Sequence, residues 1–176
     1  MADFPTCYYF VLANEDFTPP RYEPVSDPTA NNSGAQALSG INSAAWPWQF
    51  KIIADAPLAD RPKLVMDFYR ENYWNDWYAQ LASDDVAKRV LDMAVNTCER
   101  TAVKLLQMAV LSLWIGSDTQ PEMGVDGIFG PETVAVTNSC IPAAVVTAFQ
   151  QLRVAHYQKN DANSPYLAEL IARAEK

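Results

Sequence analysis

A chain of 176 residues, 49% hydrophobic and 11% aromatic, carries enough apolar material for a real core, and at 19% charged residues it lies outside the composition of disordered chains. Its length predicts one compact domain over 1–176 rather than two independent ones. The formal net charge is −8 and the thirteen Lys and Arg form no run, so nucleic acid is not an expected partner and no charge steers the chain toward an anionic wall or membrane.

The first residues lack a basic stretch followed by a long apolar core, so no secretory leader is expected. No segment approaches the roughly 20 apolar residues of a membrane span. Thr6 to Asn14 reads as a short apolar helix ending in the acidic pair Glu15 and Asp16, and Pro19 and Pro20 forbid its continuation. From Phe17 to Ser43 the chain is rich in Pro, Asn, Ser and Gly, the signature of a long ordered loop or short β-hairpin, with Phe17 and Tyr22 favouring order.

Beyond Asn42 the pattern is helical. Asp60 is expected to cap a helix opened by Arg61 or Pro62, with Leu64, Val65, Phe68, Tyr69 and Tyr73 on its apolar face. Ser83 is expected to cap another, with Val86, Val90, Leu91, Ala94 and Val95 inward. From Glu99 a third helix carries Ala102, Val103, Leu105, Leu106 and Ala109 and is the candidate central hydrophobic element. Asp126-Gly127 makes a turn, and Pro131, Pro142 and Ser164-Pro165 open three further helices. The fold class is therefore mainly α, a helical bundle around a central hydrophobic helix, with a small β-hairpin or loop lobe after the first helix.

Glycoside hydrolysis needs a carboxylic acid to protonate the leaving oxygen and usually a second carboxylate. Glu15, where an apolar helix meets an irregular loop, is suited to partial burial, and Asp27 lies within that loop. An acidic residue at a helix end is also ordinary solvated surface, and Asp27 before Pro28 is equally suited to starting a turn. The sole histidine, His156, sits in an apolar pattern and reads as core or rim; Cys98 with His156 is a weaker cysteine-nucleophile alternative. Cys7, Cys98 and Cys140 are odd in number with no close pair, which fits neither a zinc site nor a disulfide framework and allows at most one bridge. Trp46, Trp48, Tyr73, Trp74 and Trp77 concentrate aromatic surface that suits sugar faces as well as a core.

Taken in order, several segments resemble the lysozymes of glycoside hydrolase family 108, over nearly the whole chain. Val11-Leu12-Ala13-Asn14-Glu15 is similar to that family's helix ending in its catalytic Glu; Val25-Ser26-Asp27-Pro28 and Ser39-Gly40-Ile41 are similar to its following loop. Tyr69-Arg70-Glu71-Asn72-Tyr73-Trp74 matches a Tyr-x-x-x-Tyr-Trp helix, and Asp92-Met93-Ala94-Val95-Asn96 an Asp-x-Ala-Val-Asn run. Leu105-Leu106-Gln107, Val125-Asp126-Gly127 to Gly130-Pro131-Glu132-Thr133, and Arg153-Val154-Ala155-His156-Tyr157 complete the series.

The resemblance implies a lysozyme-like α+β fold, an N-terminal part over 1–97 with the catalytic Glu, and a helical part over 98–176 resembling a peptidoglycan-binding segment. It implies cleavage of the β-1,4 bond between N-acetylmuramic acid and N-acetylglucosamine without a cofactor or metal. Glu15 becomes the proton donor with Asp27 as its assistant, and Tyr22, Gln36, Ser39, Tyr73 and Asn96 become substrate-contacting candidates. Asn96 and Asp92 share a helix face, which also suits a buried polar network. The sequence departs from the pattern after Glu15, where Asp16-Phe17-Thr18-Pro19-Pro20-Arg21 replaces two glycines before Tyr22, and again over Gly34 to Ser39, where Gln36 or Ser39 would replace a threonine.

The implied partner is peptidoglycan, met by a monomer made in the cytoplasm and acting in the periplasm or on the cell wall. A phage endolysin and an exported antibacterial effector both fit, the latter with an immunity protein and export machinery. The rival expectations are a non-catalytic peptidoglycan-binding module and a structural component of a phage tail or secretion apparatus.

Overall fold

The computed structural model describes residues 1–16, 18–27 and 34–176. They are mostly helical, with a three-stranded antiparallel sheet after the first helix, as expected. In chain order the elements are α1 (Phe4–Glu15), β1 (Val25–Ser26), β2 (Gln36–Leu38), β3 (Ile41–Asn42), α2 (Pro47–Asp55), α3 (Arg61–Asn72), α4 (Asp76–Gln80), α5 (Asp84–Asn96), α6 (Glu99–Ser112), α7 (Pro131–Ser139), α8 (Pro142–Asn160) and α9 (Leu167–Ala174). Phe17 and Pro28 lie outside the described residues. The chain divides into two compact units, one of residues 1–7 with 75–176 and one of residues 8–74, the division falling inside α1.

In the unit of residues 8–74, β2 is the middle strand, pairing Ala37 with Val25 of β1 and with Asn42 of β3. Leu38 and Ile41, opposite each other across β2 and β3, are fully buried. α2 packs on β2, β3 and α3. Pro62 near the start of α3 supplies a preset φ and costs no ladder bond there. The aromatic face of α3 is built on Phe68 and Tyr69, with Trp46 edge-on to Phe68 at 5.1 Å and Tyr8 at 5.6 Å from Tyr69.

In the other unit, α6 is the central helix, packing on α5, α7 and α8, and its Ala102, Val103, Leu105, Leu106, Ala109 and Val110 are buried. Pro131 and Pro142 begin α7 and α8 as anticipated. The helix expected from Pro165 starts instead at Leu167. Neither expected side-chain cap is made: Asp60 is itself in the right-handed helical region, continuing a turn whose N–H meets Pro57 O, and Ser83 makes no capping bond. Asn75, with extended backbone, does cap α4 by accepting from the amides of Trp77 and Tyr78, whereas the equally extended Ser83 makes no such bond. No single described helix is long and apolar enough to cross a membrane.

Two polar groups inside this unit are held by fixed partners. Gln107 on α6 donates to Asp126 Oδ1 (2.8 Å) and Thr133 Oγ1 (3.1 Å) and accepts the Gly127 amide (2.9 Å), so the turn at Asp126-Gly127 is tied to the helix core. Asp92 of α5, wholly buried, accepts from Arg153 Nη2 of α8 at 2.5 Å and from Arg173 Nε of α9 at 3.0 Å. Removing one partner of a buried ion pair leaves the other charge desolvated and uncompensated. Asp92→Ala is therefore expected to cost about 3–5 kcal/mol, read as a lowered midpoint in urea unfolding with α9 the first segment to lose hydrogen-exchange protection.

Candidate functional site

Glu15 is the last residue of α1 and is half-buried. Its side chain lies against the turn that joins β2 to β3, and the approach is close. A Cβ on Gly40 would stand 2.7 Å from Glu15 Oε2, 2.9 Å from Glu15 Cβ and 2.5 Å from the Tyr69 hydroxyl. Gly40 also has φ +81°, a left-handed value that glycine adopts without steric cost. Tyr69, buried on α3, donates its hydroxyl to the Ser39 carbonyl at 2.9 Å, which ties the same turn to α3.

Asp16, adjacent to Glu15, organises the surrounding loops. Its Oδ2 accepts the Ser39 hydroxyl at 2.5 Å and the Tyr22 amide at 3.2 Å, and its Oδ1 accepts the Arg21 amide at 3.4 Å. The Tyr22 carbonyl is in turn held by Arg61 Nη1 at 3.0 Å, while the same guanidinium binds Ala54 O and Ala56 O at the end of α2. Burial holds the phenols of Tyr8 and Tyr22 above their ordinary range.

Tyr73 follows α3 and stacks at 5.7 Å on Tyr69 and 6.4 Å from Trp46. Burial raises its phenol; a hydrogen bond from Trp46 opposes this, and the nearby Glu15 carboxylate adds to the rise. Tyr73 therefore remains a neutral donor at any physiological pH. The unit thus assembles a half-buried carboxylate beside a Cβ-free turn and two phenols, with the Trp46 indole against one of them. Chemically, such a group can hand a proton to a polar substrate whose flat faces meet aromatic rings.

Of the remaining sequence-predicted residues, Ser39 lies in the turn against Glu15 and Asn96 in the other unit. Asp27 follows β1: its amide donates to Ala35 O at 3.0 Å and its Oδ2 accepts Asn42 Nδ2 at 2.5 Å, a link toward β3. Gln36 has an exposed side chain on β2, and its backbone pairs with Ser43. Ser39 is buried and its hydroxyl is engaged by Asp16. Asn96 belongs to the other unit, where it donates to the Tyr157 hydroxyl at 2.7 Å, next to the Asp92–arginine network. Of the tryptophans, Trp46 is packed, whereas Trp48 is 75% exposed.

Sequence reasoning did not assign Asp16, Gly40 or Tyr69. Gly40 and Tyr69 lie within Ser39-Gly40-Ile41 and Tyr69 to Trp74, two segments that carry the resemblance, whereas Asp16 lies where the sequence departs from it. His156 is half-buried with Nδ1 facing Asn160, and Cys98 is exposed with Sγ 3.2 Å from Thr101 Oγ1, so each is engaged by its own helix. Among the described residues no three His, Cys, Asp or Glu side chains gather as a metal site requires. The three cysteines are free thiols. Burial pushes the Cys7 thiol up to about 12, whereas the hydroxyl and amide of Thr101 lower that of exposed Cys98. Iodoacetamide at pH 8 is expected to alkylate Cys98 in the native protein and Cys7 only after unfolding, which peptide mass mapping reads directly.

No protein-family model and no curated protein matches the sequence. Among solved structures, Brucella abortus SagA has a similar fold, with a TM-score of 0.60 over 97% of this chain and 92% of that chain at 21% sequence identity.

The contact at Gly40 makes a sharp test of the site's construction. Gly40→Ala must displace Glu15 or Tyr69 and also strains a left-handed backbone, at an expected cost of about 2–4 kcal/mol in denaturant unfolding. Leu58→Ala, at a surface position 52% exposed, is expected to cost under about 0.5 kcal/mol.

Proposed function

We propose that this protein is a peptidoglycan hydrolase of the lysozyme type, cleaving the β-1,4 bond between N-acetylmuramic acid and N-acetylglucosamine with Glu15 as general acid. The observation that carries the reading is the seating of Glu15: a half-buried carboxyl at the end of α1, with Gly40 against its Oε2 and the Tyr69 and Tyr73 phenols beside it. The ordered resemblance to glycoside hydrolase family 108 supports it.

On this reading protonated Glu15 gives its proton to the glycosidic oxygen as the bond to the anomeric carbon breaks, and water adds to the oxocarbenium-like centre. Asp27, its Oδ2 oriented by Asn42, is the carboxylate assigned to steady that centre or take the water's proton. The aromatic rings of Tyr73 and Trp46 offer flat faces to the sugars. An acidic chain of net charge −8 gains no electrostatic attraction to an anionic wall, so recognition rests on shape, stacking and hydrogen bonds. A phage endolysin or an exported effector with a cognate immunity protein is the setting this activity fits.

The test is muropeptide analysis of purified peptidoglycan after borohydride reduction. Wild type is expected to yield reduced muramic-acid ends, and Glu15→Gln to lower their rate of release about 10²- to 10⁴-fold. Reduced glucosamine ends would reassign the bond, cut peptides would reassign the class, and wall binding without products would favour a binding module.

A further inference from the structure

Among the described residues of 8–74, two that are not glycine have left-handed backbone, Tyr22 at φ 54° and Ser39 at φ 48°. An L-residue holds that conformation only where its surroundings over-determine it, and such residues cluster at functional sites. Both are bound to the same atom: Asp16 Oδ2 takes the Ser39 hydroxyl at 2.5 Å and the Tyr22 amide at 3.2 Å. The residue after Ser39 is Gly40, whose Cα position is what brings the turn against Glu15 Oε2. A Ser39 released to an ordinary φ would swing Gly40 away from that carboxyl.

We infer that Asp16 is a positioning residue for Glu15, acting through Ser39 and Gly40, and that it holds Tyr22 in place with the same oxygen. This rests on the hydrolase reading for its effect on turnover and on geometry alone for its effect on the turn. Ser39 and the amides of Arg21 and Tyr22 all point at the Asp16 carboxylate, so its bonds go to the loops that frame Glu15. The Tyr69 hydroxyl also holds the Ser39 carbonyl, so the Ser39 side chain is held by Asp16 and its backbone by Tyr69.

The variants follow from the atoms. Asp16→Ala removes the acceptor, Ser39→Ala removes the donor, and Asp16→Asn keeps one carbonyl oxygen that can still accept from Ser39 and Tyr22. Asp16→Ala and Ser39→Ala are each expected to lower kcat about 10- to 100-fold with KM changed less than about threefold, since displacement of a catalytic group costs turnover rather than ground-state binding. The double variant should lose no more than the worse single one, because both break one bond. Asp16→Asn should restore kcat to within about threefold of wild type.

An activity-free readout runs alongside: the NMR contact between Gly40 Hα and the Glu15 side chain, expected in wild type and Asp16→Asn and lost in Asp16→Ala and Ser39→Ala. Retention of that contact in both alanine variants overturns the inference, as does a kcat for them equal to wild type while Glu15→Gln is inactive. A wild type that turns over no peptidoglycan sinks the hydrolase reading instead, and the contact series still decides the role of Asp16. If Asp16→Ala fails to fold, Ser39→Ala and Asp16→Asn carry the same decision.

Discussion

Nothing larger than a hydrogen atom fits at position 40, and much of the unit of residues 8–74 is arranged around that fact. The turn between β2 and β3 closes onto the end of α1 because Gly40 presents no side chain to Glu15 and Tyr69. Once the backbone comes that near, the Tyr69 hydroxyl is within reach of Ser39 O, and the Ser39 hydroxyl within reach of Asp16. Three elements distant in sequence, α1, the sheet and α3, thus meet at one small residue. Side-chain bonds then convert a steric allowance into a fixed geometry.

The helical unit is built on a different logic. Its core is apolar along α6, but the polar groups within it are paired. Asp92 holds two arginines from α8 and α9, and Gln107 holds the Asp126-Gly127 turn. Buried ion pairs add little net stability over an apolar core, because desolvation offsets their attraction. What they contribute here is discrimination between arrangements: a helix register that failed to bring Arg153 to Asp92 would leave a fully buried charge alone.

The sequence was most readable where a single residue has one dominant physical effect. Pro131 and Pro142 start helices because a missing N–H is harmless only there, and the apolar repeat through Ala102, Leu105, Leu106 and Ala109 could pack only as a buried helix. Side-chain capping was less readable, since Asp60 has the right chemistry but the wrong backbone conformation. The site was half legible. Glu15 stood out by its place at the boundary of helix and loop, and Tyr73 by its helical spacing. The functions of Asp16, Gly40 and Tyr69 were hidden because each depends on a partner brought near by folding, and no local pattern encodes what lies opposite a residue. The Arg173–Asp92 contact, 81 residues apart, was hidden for the same reason.

The course of the chain through its two units bears on how the protein is made. Residues 1–7 belong with 75–176, and the Asp3 amide is bound to Asp84 Oδ1 at 2.7 Å. Residues 8–74 are therefore a continuous insertion within a discontinuous unit. Synthesis is vectorial, and a unit made of one uninterrupted stretch has all its contacts available as soon as that stretch leaves the ribosome. The helical unit must instead retain its first residues unpaired through the whole synthesis of the insertion, and its polar core is incomplete until Arg173 arrives at Asp92. The contacts within residues 8–74 are thus complete in sequence earlier than the Arg173–Asp92 contact, which waits for nearly the whole chain.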